Sequence, residues 1–178
     1  ETSIEEVNYI GALLRNGQHS CGVCIVSEGY TLTAAHCVST ASPASLGVRV
    51  GSSFRTSRPG DTVVGVSRIL MHSSYNPSTI DYDYAILTLA TKLQFGTTIQ
   101  PISLPHHAEK IDDGTLTWTS GWGSTHNPNH SNEVLRTVEI EIINREKCRL
   151  AYASRIPVTE RMICAGDYYN GGRDACQG

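Results

Sequence analysis

The chain has 178 residues, 39% hydrophobic and 17% charged, which suits a soluble globular protein of one domain or two small ones. Fourteen basic and 17 acidic residues leave a net charge of −3, too balanced for a nucleic-acid partner. No apolar run approaches the roughly 20 residues of a membrane span, and 16 glycines with seven prolines favour a turn-rich, β-dominated fold.

Glu1 to Glu6 is polar, and no signal peptide is visible there, so any targeting segment is expected to be already removed or outside this sequence. Val7 to Leu14 is apolar and strand-like. Asn16-Gly17 supplies the two positive-φ residues of a tight hairpin turn, and Gln18 to Val26 returns as a second strand. Glu28-Gly29 turns the chain into Tyr30 to Ala34, which delivers His36. Ser39 to Leu46 reads as a loop, and Val48 and Val50 begin another strand. Ser52 to Asp61 is polar, with Asp61 its one acidic residue. Calcium takes several oxygen ligands, so no calcium site is expected there. Val63 to Met71 reads as a strand and His72 to Ile80 as a loop. Ala85 to Leu89 is a buried strand by composition, with Asp83 at its mouth and Asp81 expected to be a solvated loop residue.

Ala90 to Asp113 carries Pro101 and Pro105 and reads as a connection between two halves. Leu116 to Trp118 opens the second half. His126 to Asn132 is a polar loop, and Val134, Arg136, Val138, Ile140 and Ile142 fall on one strand face. Asn144 is a plausible N-cap for a short helix through Tyr152.

Five motifs, in order, carry a resemblance to the trypsin/chymotrypsin family of serine proteases: Leu32-Thr33-Ala34-Ala35-His36-Cys37, Asp83-Tyr84-Ala85-Ile86-Leu87-Thr88-Leu89, Ser120-Gly121-Trp122-Gly123, Met162-Ile163-Cys164-Ala165-Gly166 and Asp174-Ala175-Cys176-Gln177-Gly178. The resemblance covers essentially the whole chain. It implies an all-β fold of two six-stranded antiparallel β-barrels, the first with its connection over about 1–100 and the second, incomplete here, over about 111–178. It implies a partial peptidase domain over 1–178, in which His36 is the general base and Asp83 its orienting carboxylate.

In the family, Cys-Gln-Gly is followed by Asp-Ser-Gly-Gly, whose serine is the nucleophile. Gly178 matches the residue whose N–H forms half of the oxyanion hole, a donor worth about 3 kcal/mol. The family's mature start, Ile-Val-Gly-Gly, lies just before Glu1 in the match, as expected of a zymogen-derived enzyme. Asp174 matches the carboxylate at the base of the primary pocket in trypsin-like members, next to Ala175 and near Gln177. Such a carboxylate pairs with Arg or Lys. Ala175 replaces a hydroxyl residue common in the family, which implies a preference for Arg, whose planar guanidinium pairs bidentately.

The resemblance also implies disulfides Cys21–Cys37 and Cys148–Cys164, each typically adding about 2–4 kcal/mol. It leaves Cys176 to a downstream partner. Cys24 departs from the family; a buried free thiol, a bond to Cys176 and an intermolecular bond are all open. The remaining histidines, His19, His72, His106, His107, His126 and His130, sit in polar stretches and are expected at the surface, with His106-His107 able to bind a stray metal.

The expected function is therefore a secreted serine endopeptidase cutting after Arg or Lys, with no cofactor, no metal, and protein substrates and protein protease inhibitors as partners. The 178 residues by themselves are expected to be inactive and prone to aggregate. Two other readings remain at this stage. One is a non-catalytic protease homologue that acts by binding. The other is a metal or redox protein using Cys21, Cys24, His36 and Cys37, which lacks a second C-x-x-C or a following helix start.

Overall fold

The computed structural model describes residues 1–107, 109–125, 127 and 129–172. Strands β1 (Ile10–Arg15), β2 (Gln18–Ser27), β3 (Tyr30–Thr33), β4 (Leu46–Val50), β5 (Thr62–Met71) and β6 (Ala85–Leu89) form a closed antiparallel barrel in the order β1-β2-β3-β6-β5-β4. Closure comes from β1 pairing with β4, Leu13 opposite Val48. Strands β7 (Leu116–Gly121), β8 (Arg136–Ile143) and β9 (Cys164–Gly166) form an open three-stranded sheet, where the sequence implies an incomplete barrel.

Side-chain alternation explains the barrel. Leu13, Val23, Ile25, Val48, Val64, Ala85 and Leu87 point inward into one core. Each fully buried leucine or isoleucine contributes about 1.5–3 kcal/mol. Strand β1 breaks the alternation because both of its faces are covered. Its Ile10, Ala12 and Leu14 join Ile4, Val7, Trp122 and Leu135 in a second core between barrel and sheet. Gly11 is required within β1, since a Cβ there would sit 2.8 Å from the Arg49 carbonyl oxygen. The β1–β2 turn is Asn16 (φ 51°) and Gly17 (φ 80°), the pair of left-handed residues that a two-residue hairpin demands.

Several boundaries shift from expectation. Strand β1 starts at Ile10, because Val7 turns back to accept a hydrogen bond from the Ile10 N–H. The loop before β4 contains a 3-10 turn, Pro43–Ser45. Strand β8 begins at Arg136, so Val134 precedes it, and Leu135 is the fully buried residue there. Helix α1 (Arg145–Tyr152) is capped by Asn144, whose Oδ1 accepts from Glu146 N (3.0 Å) and Lys147 N (3.2 Å).

Candidate active site

The antiparallel pairing of β3 with β6 puts Thr33 opposite Ala85. His36 lies three residues beyond Thr33 and Asp83 two before Ala85, so strand register alone brings them to one rim of the barrel. A 3-10 turn, Ala35–Cys37, carries the histidine; Ala35 anchors it in the barrel core, and Cys37 is disulfide-bonded to Cys21 on β2. Asp83 Oδ2 meets His36 Nδ1 at 2.7 Å, and Asp83 Oδ1 accepts the His36 backbone N–H at 2.7 Å. The aspartate side chain is 18% exposed and the histidine side chain 55%. The carboxylate is thus largely enclosed while the ring is half exposed, with Nε2 on the edge away from Asp83, 3.5 Å from Cys37 Sγ. With the carboxylate accepting at Nδ1, the neutral ring carries its proton there and offers Nε2 as an acceptor. Burial, and next the charge of Asp83, push the Tyr75 phenol upward.

Among the described residues the cysteines form two disulfides, Cys21–Cys37 and Cys148–Cys164. The ligand atoms of Cys21, His36 and Cys37 lie within 4.8 Å of one another. Both sulfurs are spent in the disulfide and are not thiolate ligands. Cys24 is a half-buried free thiol, and burial raises its pKa, which makes it a poor nucleophile. Asp174, Ala175, Cys176, Gln177 and Gly178, together with His126, lie outside the described residues.

Two sequence expectations are corrected. Asp81 is not a solvated loop residue: its side chain is 14% exposed and binds across to the second half. Arg161 donates through Nε (3.2 Å) and a terminal nitrogen (2.5 Å), and Thr159 through Oγ1 (2.7 Å). These bonds, the Arg161 guanidinium foremost, hold the Asp81 carboxyl down at about 2. His19 is not a surface residue either. Its Nε2 is buried without a hydrogen-bond partner, and its ring meets Trp122 edge-on at 5.7 Å. Burial, then the charges of Arg55 and Arg49, lower its pKa to about 4.

Arg49 escaped sequence reasoning entirely. Its side chain is 1% exposed, and the guanidinium fills the 52–61 loop. It bonds the carbonyl oxygens of Phe54 and Arg55 and the hydroxyl of Ser57, 3.5 Å from Asp61. A lone arginine between Val48 and Val50 on a strand, with an aspartate in the next loop, is the signal that could have flagged it.

A family model described as Trypsin matches residues 1–178. The chain is 38% identical over 179 aligned positions to "Trypsin 5G1" of Aedes aegypti, covering 100% of this chain and 66% of that protein. It is 37% identical over 175 positions to the "Vitellin-degrading protease" of Bombyx mori, covering 98% and 65%. It is 36% identical over 183 positions to "Trypsin, alkaline B" of Manduca sexta, covering 99% and 71%. The chain thus spans about two thirds of the length of these relatives.

Proposed function

The chain belongs to the trypsin family of serine proteases, and from that membership we propose that it is part of a serine endopeptidase that hydrolyses peptide bonds after arginine and, less well, after lysine. The 2.7 Å bond from His36 Nδ1 to Asp83 Oδ2, on a histidine whose side chain is 55% exposed, is the observation that carries this reading. His36 Nε2 takes the proton of a serine hydroxyl as that oxygen attacks the substrate carbonyl. The same nitrogen then gives the proton to the leaving amine. Asp83 fixes the tautomer and favours the imidazolium formed midway.

The 178 residues contain no Asp-Ser-Gly-Gly sequence. We read them as the part of the peptidase domain that precedes the nucleophile, with the two halves at about 1–100 and about 111–178. Their 65–66% coverage of two of the relatives supports that reading. By the match of Asp174-Ala175-Cys176-Gln177-Gly178 to the family motif, we assign Gly178 one oxyanion-hole N–H, Asp174 the base of the primary specificity pocket, and Ala175 and Gln177 to substrate binding. A guanidinium can pair bidentately with Asp174, whereas an ammonium loses the partner that Ala175 does not supply. Two disulfides suit an oxidising compartment, which supports secretion; activation from a zymogen and control by protein inhibitors are proposed from the family membership alone.

The test uses the full-length protein and peptides matched except for Arg, Lys or Phe at the cleavage position. Cleavage in the order Arg, then Lys, with Phe far behind, and labelling by a serine-directed fluorophosphonate, is the expected result. Equal rates for Arg and Lys refute the specificity. Absence of labelling refutes the enzyme and leaves a binding homologue.

A further inference from the structure

Asp83 is preceded by a backbone that does not hold itself. Ile80 (φ 55°) and Tyr82 (φ 54°) both lie in the left-handed region, which costs roughly 1–2 kcal/mol per residue and suits a β-branched side chain least. Something must over-determine that conformation. Between the two strained residues stands Asp81. Its carboxylate takes two bonds from Arg161, one from Thr159 and one from the Tyr82 N–H (3.0 Å), while its carbonyl accepts the Asn76 N–H (3.0 Å). The Arg161 guanidinium also lies 4.9 Å over the Tyr82 ring, which stacks on His72 at 4.5 Å. Arg161 is itself anchored, three residues before Cys164 and its disulfide to helix α1.

We propose that Arg161, with Thr159, is a positioning residue for the peptidase reaction. It reaches from the second half to lock the Ile80–Tyr82 turn and so presents both oxygens of Asp83 to His36. The inference rests on the proposed peptidase role of His36 and Asp83. It makes the catalytic pair of the first barrel depend on a side chain of the other half. Arg161 touches neither His36 nor Asp83 and acts through Asp81 and Tyr82.

The test uses the full-length protein with Arg161→Gln, Asp81→Asn and Arg161→Lys, and Arg149→Gln as a control on the exposed face of α1. Two experiments are read: steady-state kinetics on a small arginine ester, giving kcat and KM, and the downfield NMR resonance of the His36 Nδ1 proton. Arg161→Gln and Asp81→Asn are expected to lower kcat at least tenfold with KM within twofold. They should also broaden or abolish the His36 resonance, with partial return of both signals in Arg161→Lys. Arg149→Gln should change neither. If Arg161→Gln does not fold, Thr159→Val removes one bond to the same carboxylate, and a kcat loss of threefold or more is then expected. Unchanged kcat and an unchanged resonance in the folded variants overturn the inference while the peptidase reading stands. A wild-type protein that cleaves nothing overturns the peptidase reading, and the resonance still decides whether Arg161 orders Asp83.

Discussion

An imidazole serves as a base only when its proton sits on the nitrogen that faces away from the incoming hydroxyl. Asp83 arranges this with two oxygens, one for the ring N–H and one for the backbone N–H of His36, so that both the ring and its carrier turn are held. His19 shows the opposite use of a histidine. It stays neutral in the fold down to about pH 4, but in the unfolded chain it titrates near 6.5. The unfolded state therefore takes the proton first, and stability falls as pH drops from 6.5 toward 4, by up to roughly 3 kcal/mol. Thermal melts of His19→Leu between pH 4.5 and 7 should show a flatter acid limb than the parent; an equally steep limb would count against the buried-neutral assignment. The roles proposed for His36 and Asp83 could be read from the sequence because each sits in a run of six or seven residues with a fixed pattern. His19, Asp81 and Arg161 could not, because what defines them is a partner roughly 80 or 100 positions away and no local pattern encodes it.

At the scale of elements, a continuous apolar run does not tell how many faces are covered: β6 reads as buried by composition, yet only Ala85, Leu87 and Leu89 are buried while Ile86 is exposed, whereas the apolar run of β1 conceals two covered faces. The 52–61 loop reads as merely polar, yet it is built around the Arg49 guanidinium and is tied to the second half through Glu133. That carboxylate accepts from the Thr56 N–H (3.1 Å) and hydroxyl (2.7 Å). A fixed positive charge inside the loop opposes a divalent cation in the same space. Arg49→Met strips two carbonyls and Asp61 of their partner and is expected to cost roughly 3–5 kcal/mol in denaturant unfolding. Millimolar calcium should leave the melting temperature of the parent unchanged, and a clear rise on adding calcium would contradict this account of the loop.

At the scale of the whole molecule, barrel and sheet meet through a shared core and a few directed bonds. Trp122 packs among Ile10, Leu14 and Leu135 and donates its indole N–H to the Ser53 carbonyl at 3.2 Å. Truncating it to alanine should lower stability by about 3–5 kcal/mol; a loss under 1 kcal/mol would mean that the two halves do not rely on each other there. The Asp81–Arg161 bridge crosses the same divide two residues from Asp83, the partner of His36, so the packing of the halves and the geometry of His36 belong to one problem. The most direct test of the whole account is kcat on an arginine peptide for the full-length protein and its Asp83→Asn variant. An amide there presents a donor where the ring N–H needs an acceptor and favours the wrong tautomer, so a fall of about 10⁴-fold is predicted with binding little changed. A variant that turns over within tenfold of the parent would contradict the assignment of Asp83 as the group that orients His36.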